Sequence, residues 1–293
     1  MSDINTLINS NSLHAALSQN FYKVNALEME PTTQNIEDNI FDEDLIMVID
    51  NLVNLYLQEI NKGKEENVRK KFVLDYFNYY KINLQKMYHW LVNNQTCSNS
   101  IYLLGYFNYY GIETDINKYN AFNIYQKAAE LGNIVVQYDL ANMYIDGEGS
   151  DKDYEKAFEL SKKLTEGNNT CGINLLGYCY ECNIGTDVNE QKAFEFYQNA
   201  ADLGNIFGMY NLGRCYKNGF GTSINNEKAF ELFQRAANFE YNSAQQSLAW
   251  MYEKGRGTEK NIELAIYWYK KSAKQGSIYS KNKLKHLLEE CTM

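Results

Sequence analysis

Small and apolar residues recur along this chain in two alternating helical stripes, and the pair of stripes repeats every 36 residues. The first stripe carries a leucine column, Leu104, Leu140, Leu176, Leu212, Leu248 and on to Leu284. Beside it stand the small residues Gly105, Ala141, Gly177, Gly213 and Ala249. Four positions past each leucine come Asn108, Tyr144, Tyr180, Tyr216 and Tyr252. With a small residue four before the leucine, near Ser100, Val136, Gly172, Gly208 and Ala244, this spacing marks one face of an α-helix. The small residues let a neighbouring helix approach closely. The second stripe is Ala121-Phe122, Ala157-Phe158, Ala193-Phe194, Ala229-Phe230 and Ala265-Ile266, completed in the first copy by Tyr125, Ala128 and Ala129. It predicts a second buried helical face in every unit.

Breakers and caps separate the stripes. Gly147-Glu148-Gly149, Gly219-Phe220-Gly221 and Gly255-Arg256-Gly257 stop the first helix. Asn183 replaces the first glycine in the third copy, which suits a residue that visits the left-handed region; Glu113 replaces the second glycine in the first copy and suits it less. Asn117, Asp153, Asn189, Asn225 and Asn261 are strong N-caps for the second helix. Gly132, Gly204 and Gly276 end that helix, with Glu240 as the departure. A fixed period of this length means stacked helix-turn-helix units, none able to bury its apolar face alone. The fold expected is therefore an all-α solenoid, whose long ridged surface favours binding over catalysis in one deep pocket.

Residues 1–38 are polar, lack a sustained stripe and read as a mobile leader. Residues 39–95 read as an N-terminal helical cap, opened by the stripe Leu45, Ile49, Leu52, Val53, Tyr56 and Ile60. Within it, Tyr76 to Ile82 echoes Tyr106 to Ile112 at an offset of 30, which makes the segment a degenerate copy with a trimmed loop before a helix near Leu84 to Val92. Five 36-residue repeats fill 96–277, and 278–293 reads as a closing helix.

The run Leu212-Gly213, Tyr216, Gly219, Gly221-Thr222, Lys228-Ala229-Phe230 resembles the Sel-1-like repeat, a relative of the tetratricopeptide repeat. The likeness covers roughly 96–293 and implies a right-handed α-solenoid. It also implies a non-enzymatic adaptor or scaffold that meets protein or peptide partners. Such proteins connect components of signalling, quality-control and cell-wall pathways, and some carry a protein kinase domain. No kinase motif stands in this chain, so a kinase would be a partner in trans. Tetratricopeptide relatives line a concave groove with outward positions of the first helices. Those positions hold Tyr102, Tyr138 and Tyr210 in one column, and Tyr106, Asn142, Tyr178, Arg214 and Trp250 in the next. Tyr, Trp and Arg are the residues most enriched at binding hot spots. The same columns also suit contact with an adjacent helix.

Charge and chemistry narrow the picture. A net charge of −9 argues against nucleic acid, whose binders need a basic stripe. The sequence shows no basic segment leading into a secretory apolar run and no stretch of about 18 apolar residues, so neither secretion nor a membrane is expected. Of the 6 cysteines, Cys179 and Cys215 share a repeat column with Phe107, Met143 and Met251, as small core groups would. Cys179-x-x-Cys182 has no second pair and no histidine nearby, so no metal or cofactor is assigned to it. Reduced thiols in a cytoplasmic protein follow. Ser280-x-x-Lys283 matches the start of a penicillin-binding signature, and cysteine-rich relatives have been linked to that activity; a hydrolase of that type is the alternative function. A purely structural, self-associating array is a third. No phosphate loop, zinc-protease or nucleophile-elbow motif occurs, and no catalytic residue is assigned.

Overall fold

The computed structural model describes residues 42–290, so the leader expected over 1–38 lies outside the described residues. Contacts divide the chain after Leu45, and the helical stack belongs to the unit that runs from Ile46 onward. Among the described residues there are 14 α-helices and no strand. Three precede the repeats: α1 (Asp42–Asn61), α2 (Glu66–Tyr79) and α3 (Leu84–Asn93). The repeats are α4 (Ser98–Tyr110) with α5 (Lys118–Glu130), α6 (Ile134–Asp146) with α7 (Tyr154–Glu166), and α8 (Thr170–Cys182) with α9 (Glu190–Asp202). They continue as α10 (Ile206–Asn218) with α11 (Asn226–Asn238) and α12 (Asn242–Lys254) with α13 (Ile262–Lys274), and α14 (Ile278–Glu290) closes the stack. The chain is an α-solenoid in which each helix from α3 on packs against its neighbours in sequence.

The repeat chemistry explains this regularity. Asn117, Asp153, Asn189, Asn225 and Asn261 each cap a second helix by accepting from the backbone N–H three residues on. Leu104, Leu140, Leu176, Leu212 and Leu248 are all buried. The tyrosine four positions past the leucine meets the preceding repeat's Ala-Phe phenylalanine edge-on, in Phe122–Tyr144, Phe158–Tyr180, Phe194–Tyr216 and Phe230–Tyr252, with ring centroids 5.2–5.6 Å apart. Edge-to-face pairs of this kind add to area burial. Here they bolt consecutive repeats together. Asn108 breaks the column only in the first copy, where no Ala-Phe helix precedes it. Its side chain instead bonds Leu104 O and accepts from Asn120.

One element departs from the linear order. α1 buries Ile49, Leu52, Val53, Tyr56 and Ile60. The Tyr56 ring packs on Tyr102 and Tyr106 of α4, at 6.2 and 5.5 Å. At the other end of α1, Asn61 bonds Asn169, Thr170 and Asn205 at the starts of α8 and α10. α2 then returns, its Phe77 ring edge-on to Phe107 in α4 at 6.0 Å. At 1.5 Å per residue a helix of this length reaches about 30 Å, enough to pass several repeats.

The first-helix face as candidate functional site

Beneath α1 and α2, the face built by the first helices is a close-packed polar and aromatic cluster. Tyr102 and Tyr106 are each 1% exposed. The Tyr102 hydroxyl donates to Asp139 Oδ2 at 2.9 Å, and its ring stacks on Tyr125 at 5.4 Å. Arg69 of α2 enters this cluster and is itself buried. Its Nη1 donates to the Tyr56 hydroxyl at 3.0 Å and its Nε to Lys64 O at 3.1 Å. The guanidinium lies 5.5 Å from the Tyr56 ring centre and 5.8 Å from that of Tyr138. The Tyr106 hydroxyl is buried without a hydrogen-bond partner. α4 is accordingly buried on every side from Ser100 to Asn108, as a helix sandwiched between repeat packing and a covering layer must be.

Burial holds the Asp139 carboxyl up at about 6; the Arg69 guanidinium and the Tyr102 hydroxyl bond work against that shift, and Glu66 adds to it. An acid whose folded value is raised favours folding fully below its unfolded value, near about pH 4, and that contribution is lost as pH rises to about 6. Asp139→Asn keeps an acceptor for Tyr102 and is expected to remove this fall. Urea midpoints measured from about pH 4 to 7 should then drop less in the variant than in wild type over that window. Parallel profiles would mean that the carboxyl titrates like a solvated one.

From Asn142 in the second repeat onward, the same columns are less covered. Tyr178 is 38% exposed, and Asn142, Tyr210, Arg214 and Trp250 are half-buried. Arg214 Nη2 pairs with Glu181 at 2.8 Å, and the Tyr197 hydroxyl donates to the same carboxylate at 2.6 Å. Lys217 lies over the Trp250 ring at 4.3 Å, a cation–π contact. The Tyr210 ring meets Tyr241 edge-on at 5.0 Å. Asn142 is turned back, donating to Tyr138 O at 2.8 Å. Of the eight residues singled out from sequence, three (Tyr102, Tyr106 and Tyr138) thus belong to a cluster beneath the N-terminal helices. The other five are half-buried or, for Tyr178, exposed, and Asn142 adjoins the cluster through Tyr138 O.

The residues that hold the covering layer were not among those singled out. Asn169 and Asn205 occupy the N-cap position of α8 and α10, as Asn133 does in α6; Asn169 Oδ1 accepts from Asn61 Nδ2 at 3.4 Å and Asn205 Nδ2 donates to Asn61 O at 3.0 Å. Their 36-residue spacing was visible in the sequence; the stripe that located the first helices begins three positions later. Gly63, Glu65 and Arg69 occur once each and have no period to reveal them.

The catalytic alternative finds no support in geometry. Ser280 is fully buried and its hydroxyl donates to Ser272 Oγ at 2.9 Å, while Lys283 pairs with Glu253 at 3.1 Å. Burial pushes the thiol of Cys179 up to about 11 and those of Cys171 and Cys215 up to about 12, away from the reactive thiolate range. Among the described residues no helix is long and apolar enough to cross a membrane.

A family model described as Sel1 repeat matches residues 98–133, 134–169, 172–205, 206–238 and 242–277, more than half of the chain. The chain belongs to the Sel1 repeat family. Among solved structures it is similar to a Sel1 repeat protein from Oxalobacter formigenes, with 26% identity over 79% of this chain and 88% of that one and a TM-score of 0.59. It is also similar to a protective antigen present in uropathogenic Escherichia coli strains displaying an SLR fold. That likeness, 23% identity over 85% of this chain and 59% of the other with a TM-score of 0.53, shows the fold alone. No curated protein matches the chain. Sel1 repeat proteins generally mediate protein–protein interaction, on a scaffold fold that is generally non-catalytic.

Proposed function

We propose that this Sel1 repeat chain is a non-enzymatic adaptor whose accessible partner surface is the first-helix face of the third to fifth repeats. The observation that carries the reading is the change in exposure along one column. Tyr106 is 1% exposed and Tyr178, two repeats on, 38%. Arg214 and Trp250 continue that column half-buried, each already oriented by a charged neighbour, Glu181 and Lys217. Aromatic and arginine side chains held in place lose little freedom when a peptide covers them. A cytoplasmic setting suits three thiols kept buried as small core groups. A signalling role, with a protein kinase as partner in trans, extends the proposal on family resemblance alone.

Tyr178→Ala and Trp250→Ala are each expected to weaken partner capture by about 1–3 kcal/mol, with melting temperatures close to wild type. Lys163→Ala, exposed on the second helix α7, serves as control. Affinity purification from the native host, quantified by mass spectrometry, gives the readout. If both aromatic variants retain every partner in wild-type amounts, the partner surface lies elsewhere.

A further inference from the structure

The first-helix face already holds a helix, and that helix is part of this chain. Repeats touch their neighbours in sequence, but the turn between α1 and α2 bonds groups 108 to 177 positions away. What it meets there are the unsatisfied ends of other helices. The carbonyl of Asn61, in the last turn of α1, accepts from the Thr170 hydroxyl and from Asn205 Nδ2. The carbonyl of Lys62 accepts from the Ile206 N–H at 2.9 Å, so the negative end of α1 abuts the positive start of α10. At α12 the match is closer still. Tyr241 stands where Asn133 and Asn205 accept a backbone N–H to cap α6 and α10, and it makes no side-chain cap bond. Glu65 supplies an acceptor, taking the N–H of Asn242 at 3.2 Å.

The interface behind this turn differs from the contacts between repeats. It encloses Arg69 and the unpartnered Tyr106 hydroxyl, with Asp139 half-buried at its edge. Each such group must recover the hydration it loses, so a polar layer holds less firmly than an apolar one of equal area. Gly63 sets the closest approach. Its φ is +72°, and a Cβ there would lie 2.9 Å from Phe207 N and 3.0 Å from Ile206 N.

We propose that α1 and α2 are a built-in ligand of the first-helix face, and that an amphipathic helix of a partner protein exchanges with them. The partner helix must present apolar residues at the spacing of Leu52, Tyr56 and Ile60 and end in a turn whose carbonyls are free to accept from Thr170, Asn205 and the Ile206 N–H. This is helix-in-groove recognition with the groove occupied in cis. A ligand for an occupied site binds with an affinity reduced by the fraction of molecules in which the site is open. The proposal rests on reading the first-helix face as the partner surface.

The test uses the full chain and a fluorescein-labelled peptide of its residues 46–64. Gly63→Val lifts the turn from α10 without changing the face itself, and Arg69→Ala loosens the first turn of α2 by removing its bonds to Lys64 O and the Tyr56 hydroxyl. Anisotropy titration is expected to show both variants binding the peptide at least about ten-fold more tightly than wild type. Hydrogen exchange should quicken over 46–79 in both while 226–274 keeps its protection. Equal peptide binding by wild type and variants overturns the proposal, as does exchange of α1 and α2 only together with the repeats. Dimers formed by the variants, seen by light scattering, would mean that the hairpin passes to a second copy, and would also overturn it. If Gly63→Val fails to fold, Arg69→Ala decides; if neither folds, the hairpin is core and the proposal falls. Peptide binding needs no partner, so the adaptor reading stands or falls separately on Tyr178→Ala and Trp250→Ala.

Discussion

Gly221→Ala is expected to destabilise the protein by about 2–5 kcal/mol, a large effect for the addition of one methyl group at a loop position. Two penalties combine. Gly221 has φ +63°, a region that costs an L-residue about 1–2 kcal/mol. Its Cβ would also stand 2.1 Å from Glu190 O and 2.9 Å from Phe194 Cβ. Overpacking of that kind costs about 1–3 kcal/mol, and a backbone oxygen within a helix cannot swing aside. The contact lies between repeats: the loop of the fourth presses on the start of α9 in the third. Glu113 is the control, because it occupies the same loop position of the first repeat with φ 55° and is exposed. No Ala-Phe helix precedes it, so only the backbone penalty applies. Glu113→Gly is therefore expected to be neutral or to stabilise by up to about 1 kcal/mol. Denaturant midpoints decide, and a loss below about 1 kcal/mol for Gly221→Ala would show that the loop moves away freely.

Contacts between repeats also decide which parts of the structure were legible in the sequence. Columns that recur at 36 report contacts that recur, such as Leu212 in its core or Asn225 at its cap. Their breaks carry information too. Asn108 and Glu113 both fall in the first copy, where the preceding Ala-Phe helix is missing, and Ile266 falls in the last, where Leu288 takes the place of the following tyrosine. Tyr102 and Tyr106 mark where periodicity stops being informative. Their helical angle points them away from the repeat core, and the period alone leaves them outward. They are buried because a single-copy segment lies over them, and a contact made once has no period. Hints of that segment were present but isolated: Tyr241 interrupts the asparagine caps, and Arg69 sits among the apolar residues of α2. Neither names its partner until Glu65 and Asp139 are seen beside them.

Leu212→Ala is expected to cost about 2–5 kcal/mol, as a core truncation that leaves a cavity. Leu212 is 2% exposed and belongs to the apolar cluster that joins Tyr197 and Met209 to Phe233 and Leu248. In a linear array such damage stays local, because stability is a sum of repeat and nearest-neighbour terms. Hydrogen exchange should therefore quicken in α9 to α13 and leave α4 and α5 protected. The N-terminal hairpin adds a second, distant consequence. Its turn is held by Asn205 and Ile206 at the start of α10, so loosening the fourth repeat should release amides near 61–65 as well. A plain solenoid predicts no response there, since more than 140 residues separate that turn from Leu212. Quickened exchange near 61–65 together with protected α4 and α5 would show that the hairpin senses the fourth repeat directly. Exchange confined to α9 to α13 would show that the turn is held elsewhere, and unchanged exchange in those helices would mean that the leucine column does not bear the packing of the array.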